Sequence, residues 1–201
     1  MEQSVSERLM LDGARLGIFA AALWLVFIAD WLLPADLNRQ WGIIPRQWDH
    51  IWGILCSPFL HGNLGHLVSN FVPLMILMTL LLATQRNGWW IVMQIILLGG
   101  LLLWLLGRPA VHVGASGLIY GLIGYLMAAG FRQGRFGPAI AALIVGFLYG
   151  GTLIFGVLPT VGEQVSWDGH LTSAVAGGLL GYYSVAQSQP QVPLTEGLDR
   201  T

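Results

Sequence analysis

Three short stretches of this chain carry side chains suited to hydrolytic chemistry. The first is His61-Gly62-Asn63-Leu64-Gly65-His66-Leu67-Val68-Ser69-Asn70, the second Gly114-Ala115-Ser116-Gly117, and the third Asp168-Gly169-His170-Leu171-Thr172-Ser173. Each sits in or beside a run apolar enough to belong in lipid. A charge at the centre of a bilayer costs about 2.5–3.5 kcal/mol on insertion scales, so polar groups at that depth are expected to face a cavity or to do chemistry. Ser116 offers a nucleophilic hydroxyl. His170 offers an imidazole that can take the serine proton during attack and return it to a leaving amine. His66 and Asn70 are four apart and share one helix face, so their N–H groups can converge on a developing oxyanion; one such donor is worth about 2.7–4 kcal/mol. His61, one turn earlier, is expected to tie the preceding loop to that helix. Asp168 lies two residues before His170, and residues two apart on a helix do not face each other. A Ser–His dyad is therefore expected rather than a triad, with Asp168 a solvated charge at a helix start, where the dipole favours it.

Each motif has a plainer reading. A serine among glycines is commonly a packing feature, and the Gly-x-Ser-x-Gly elbow of soluble hydrolases is broken by Leu118. His61, His66, His112 and His170 are of the type that ligates zinc. The chain lacks a His-Glu-x-x-His motif, however, and no acid lies in the second apolar segment to act as ligand or base. No metal and no cofactor are expected.

The elements that must hold these groups follow from composition. Of 201 residues, 55% are apolar and only 9% charged, against about 25% charged in soluble domains. An integral membrane protein is implied, with the lipid bilayer as its surroundings, and the net charge of -1 argues against a nucleic-acid partner. Cys56 is the single cysteine, so no internal disulfide can form. Six segments reach the ~20 apolar residues a spanning helix needs: roughly Leu16–Leu33, Leu64–Ala83, Trp89–Leu106, Gly114–Phe131, Pro138–Leu158 and Gly169–Ala186. An all-α, six-helix bundle is expected, with residues 1–15 a cytoplasmic tail, 16–186 the membrane-embedded domain and 187–201 a disordered cytoplasmic tail. Arg8, Arg15, Arg86, Arg132, Arg135 and Arg200 fall on the side of the termini, and Arg39, Arg46 and Arg108 on the other, which puts both termini in the cytoplasm. The connection from Pro34 to about Asn63, with Trp41, Trp48 and Trp52, reads as a structured loop in the interface. Gly117, Gly121 and Gly124 on the fourth segment, and Ser173, Gly177 and Gly181 on the sixth, form small-residue seams. Docking those seams would carry His170 toward Ser116.

Together, His61-x4-His66-x3-Asn70, Gly114-Ala115-Ser116-Gly117 and His170 at the sixth segment resemble the rhomboid intramembrane serine proteases, in the six-helix bacterial form. The likeness covers about Leu16 to Ala186. It implies Ser116 as nucleophile, His170 as base, and His66, Asn70 and the Ser116 backbone N–H as the oxyanion hole. It also implies that Tyr120 stacks on His170, with Gly114 and Gly117 in support. The fifth segment and the loop to Trp167 resemble the family's substrate gate and lid. The implied partner is the transmembrane helix of a single-spanning substrate, cut near its extracytoplasmic end at small residues, and the implied location is the bacterial plasma membrane. Ser173 departs from the family's usual glycine three residues after the histidine, and the family's Trp-Arg pair in the first loop is not evident, Pro45-Arg46 being the nearest local match. Two other classes compete: a rhomboid-like protein that binds membrane helices without cutting them, and a small-solute transporter. The first typically loses the serine or the histidine, and both are present here. The second needs polar residues across the bilayer, whereas Ile123 to Met127 and Val175 to Tyr182 are largely apolar or small.

Overall fold

The computed structural model describes residues 4–134, 136–150 and 165–186. Eight helices are defined among them: α1 (Val5–Leu32), α2 (Leu37–Trp41), α3 (Gly53–Cys56), α4 (Leu64–Thr84), α5 (Gly88–Leu106), α6 (Ser116–Gln133), α7 (Phe136–Gly150) and α8 (Trp167–Ala186). The described residues contain no strand, only an isolated bridge between Ile43 and His112. The fold is all-α.

Helix α1 starts well before the expected Leu16. Ser4 caps it: the Ser4 hydroxyl accepts from the Glu7 N–H, and the Glu7 carboxylate accepts from the Ser4 N–H. This reciprocal cap satisfies two orphan donors and starts a helix among polar residues that a search for apolar spans passes over. Most of the expected N-terminal tail is thus helical. Helix α4 is capped by Asn63, whose side chain accepts from the His66 N–H; the cap fixes the backbone of a candidate site residue. Helix α6 begins at Ser116, not at Gly114. Gly114 has φ of +114°, a conformation that L side chains rarely adopt, and so lies in the turn that precedes the helix.

By length and composition, Ser6–Leu32, Leu64–Thr84 and Gly88–Leu106 are long and apolar enough to cross a membrane. Helices α6 and α8 carry glycines, tyrosines and hydroxyl groups in place of a continuous apolar run. They pack closely against each other, and the reason is steric. A Cβ on Gly177 would meet the Gly121 carbonyl, one on Gly124 the Ala174 carbonyl, and one on Gly181 the Tyr125 carbonyl. The expected seams face each other, and absent side chains let the two backbones approach. Leu67, Leu74, Leu77, Met78 and Leu81 of α4, Ile91 and Ile95 of α5, and Leu122 and Leu126 of α6 build one core. The outer faces stay apolar, with Ile18, Leu25, Leu101 and Leu105 exposed. So much exposed apolar surface fits lipid as the solvent. The expected fifth span is described as α7 up to Gly150; its remainder, the lid loop through residue 164 and the C-terminal tail lie outside the described residues.

The connection between α1 and α4 is ordered throughout. Short 3₁₀ turns at Trp48–His50 and Ser57–Phe59 alternate with α2 and α3. Asp30 near the end of α1 accepts from the Leu37 N–H and the Asn38 amide. The Arg46 side chain donates to the Leu105 and Gly107 carbonyls (3.2 and 2.8 Å), and its backbone N–H donates to Trp104 O. A cation thus closes the carbonyl end of α5, where the dipole favours positive charge.

Candidate active site

Helices α4, α6 and α8 present their N-terminal ends to one region. His66 lies in the first turn of α4, Ser116 is the first residue of α6, and His170 lies in the first turn of α8. Helix N-termini carry partial positive charge and backbone N–H groups without intrahelical acceptors, an arrangement that favours a developing anion.

His170 Nε2 lies 2.8 Å from Ser116 Oγ, across 54 positions of sequence. With Nε2 unprotonated, the hydroxyl donates to it, which is the alignment proton transfer requires. The Tyr120 ring, one turn along α6 from Ser116, stacks on His170 with centroids 4.2 Å apart and planes 9° from parallel. That contact sets the imidazole plane. His170 is buried and Ser116 half-buried.

Opposite the dyad, Gly114 brings the backbone against two side chains of α4. A Cβ on Gly114 would lie 2.7 Å from His66 Nε2 and 3.5 Å from Asn70 Nδ2. Both nitrogens therefore border the turn that delivers Ser116. Asn70 is buried, and its Nδ2 has no hydrogen-bond partner among the described residues. A buried unpaired donor is costly, and its place beside the Ser116 turn suits a donor held ready for an oxyanion. His61 is 2% exposed. Its Nε2 accepts from the Ala115 N–H (3.4 Å), so Nδ1 carries the proton and donates to the Phe59 carbonyl (3.3 Å). Its ring meets that of His66 edge-on at 5.1 Å. His61 thus links the loop before α4 to the turn before Ser116. Burial, then the neighbouring His66, lowers its pKa from 6.5 to about 4, which keeps it neutral.

Gly117 faces α8: a Cβ there would lie 3.2 Å from Ser173 Oγ. The Ser173 hydroxyl is accommodated by glycine on two sides, Gly117 and Gly99 of α5. A cavity enclosing about 460 Å³ of empty space, part of it open to solvent, reaches the dyad. Ser57, Gly100, His112, Ser116, His170 and Ser173 help line it. Among the described residues, no three His, Cys, Asp or Glu side chains converge as a metal would require.

The expectation for Asp168 is overturned. Asp168 is not solvated: it is 5% exposed and accepts from the Arg108 backbone N–H at 2.7 Å. The guanidinium of Arg108 pairs with it at 3.3 Å. A cation arriving from the end of α5 leaves no trace in the sequence at the start of α8. The available signal was Arg108 itself, the first charged residue after a long apolar run. His112, weighed only as a metal ligand, belongs to the same cluster, with Nδ1 2.7 Å from Ser166 Oγ.

The Rhomboid domain family model matches residues 48–187, well over half of the chain. An uncharacterised protein of Mycobacterium tuberculosis and one of Mycobacterium bovis are each 38% identical over 184 residues, covering 87% of this chain and 76% of theirs. An uncharacterised protein of Mycobacterium leprae is 35% identical over 198 residues, covering 94% of this chain and 78% of its own. The chain belongs to the rhomboid family, a family of intramembrane proteases, and is an integral membrane protein.

Proposed function

We propose that this protein is an active intramembrane serine endopeptidase that cuts the transmembrane helix of single-spanning membrane proteins with a Ser116–His170 dyad. The 2.8 Å approach of His170 Nε2 to Ser116 Oγ carries the reading. Ser116 attacks the scissile carbonyl while His170 takes its proton. The oxyanion is held by Asn70, His66 and the Ser116 backbone N–H. His170 returns the proton to the leaving amine, leaving an acyl group on Ser116. Water then enters by the cavity and attacks the acyl carbon as it loses a proton to His170, which passes that proton to the departing Ser116 Oγ and so releases the second product. Irregular backbone at membrane depth is tolerated where it lines such a cavity, which accounts for the Gly114 turn. A substrate helix must unwind to offer a carbonyl; cleavage near its outer end at small residues is what membership of the family implies. The proposed topology has six spans with both termini in the cytoplasm of a bacterial plasma membrane, which puts the site toward the outer face.

A fluorophosphonate probe tests this without a known substrate. Wild-type protein should be labelled at Ser116, and Ser116→Ala and His170→Ala should not. A folded wild-type protein that resists the probe and leaves model transmembrane substrates intact would mark a helix-binding relative instead. EDTA should leave labelling unchanged; loss of labelling would bring back a metal.

A further inference from the structure

Arg108, His112, Ser166 and Asp168 form a polar cluster that the dyad does not use. Arg108 follows α5, and His112 lies four residues before Ser116. Ser166 precedes α8, four residues before His170, and its carbonyl accepts from the His170 N–H at 3.0 Å. The cluster therefore joins the two segments that deliver the nucleophile and the base.

Its bonds run both ways between them. Asp168 accepts from the Arg108 backbone N–H at 2.7 Å and from the guanidinium Nε and Nη2 at 3.4 and 3.3 Å. Arg108 Nη2 also donates to the Val165 carbonyl at 2.9 Å, and the guanidinium lies 5.3 Å over the Trp167 ring. His112 Nε2 lies 3.0 Å from the Arg108 carbonyl, which can only accept. His112 therefore carries a proton on Nε2, and its Nδ1 is hydrogen-bonded to the Ser166 hydroxyl at 2.7 Å. The backbone of His112 exchanges two hydrogen bonds with Ile43, adding the loop after α1 to the same knot. Both Asp168 and His112 are buried. A buried ion pair is poor evidence of stabilisation, because desolvation offsets the attraction. What so many directed bonds do supply is geometry.

We propose that Arg108, Asp168, His112 and Ser166 are positioning residues: they strap the Ser116 turn to the head of α8 and so set the distance and angle between Ser116 Oγ and His170 Nε2. The proposal rests on the dyad reading above. The glycine seam between α6 and α8 fixes how close the two helices pack. It does not fix the loops at their N-terminal ends, where a slip of one ångström costs as much as 100-fold in rate.

The test uses the full-length protein in liposomes, with Cys56→Ser and spin labels at Val111 and Leu171, both exposed. Asp168→Ala should widen the distance distribution between the labels. It should also slow fluorophosphonate labelling of Ser116 by about 10- to 100-fold, and lower kcat on a transmembrane substrate with KM little changed. Asp168→Asn keeps an oxygen for the Arg108 N–H and should slow labelling less. If Asp168→Ala does not fold, Asp168→Asn and Arg108→Gln carry the test, and both should widen the distribution and slow labelling. A distribution as narrow as wild type, or labelling at the wild-type rate, overturns the strap. Should the wild-type serine not label, the dyad reading fails, and the distance measurement still decides whether the cluster holds the two segments together.

Discussion

Asn70 holds a buried amide nitrogen with no acceptor among the described residues, beside the turn that carries Ser116. Leaving such a group unpaired is tolerable if the reaction supplies its acceptor. Asn70→Ala is accordingly expected to lower kcat by roughly 100- to 1,000-fold, the worth of one oxyanion donor, with little change in KM. Steady-state kinetics on a transmembrane substrate checks this, and an unchanged kcat would remove Asn70 from the hole. His61 yields a pH prediction. Its pKa is lowered from 6.5 to about 4, so between these values the unfolded chain binds the proton and the native one does not. The contribution of neutral His61 is therefore fully present above pH 6.5, is lost progressively as pH falls toward 4, and changes no further below that. Denaturant titrations in detergent across this range should show the decline. His61→Asn should be less stable at neutral pH and should lack that part of the slope.

Helices α6 and α8 meet through missing side chains, and neighbouring glycines of α8 differ in what they face. A Cβ at Gly177 would press on the Gly121 backbone, whereas one at Gly178 meets nothing within 4 Å. Gly177→Ala should thus cost about 1–3 kcal/mol by overpacking. Gly178→Ala should be neutral or stabilising by up to about 1 kcal/mol, since alanine is the better helix former. Unfolding free energies in mixed micelles discriminate the two, and equal effects would contradict the register of the seam. Gly177→Ala should also slow labelling of Ser116, because His170 stands on the helix that it displaces.

Across the bundle, the N-terminal ends of α4, α6 and α8 gather at one end, and the start of α1 lies at the opposite one if α1 crosses the membrane once. The exposed apolar surface of α1 and α5 requires lipid around the molecule, while the cavity beside Ser116 is open to solvent. Both conditions are met by a site below one membrane face with an aqueous opening toward it. If both termini are cytoplasmic, as proposed, that face is the outer one. A membrane-impermeant thiol reagent should then modify a cysteine placed at Gly62 in intact cells, in a Cys56→Ser background, but not one placed at Ser4. The reverse pattern would invert the proposed orientation.

Much was legible in the chain. Charge depletion and apolar runs define an all-α membrane protein, because lipid leaves few other solutions for backbone hydrogen bonds. Ser116, His170, His66 and Asn70 stand out as polar groups where polar groups are costly, and the spacing of glycines marks which helices pair. Some features were out of reach. Periodicity places His66 and Asn70 on one face of a helix, but it cannot state that the Gly114 backbone comes against them. Nor does any local pattern foretell that Arg108 at the end of α5 meets Asp168 at the start of α8, which made Asp168 read as solvated. Helical repeats report contacts three or four residues away, and the pairings that build this site join positions more than forty apart. Those pairings depend on how loops close over the helix ends, and that is settled only when the packed bundle brings distant backbone together.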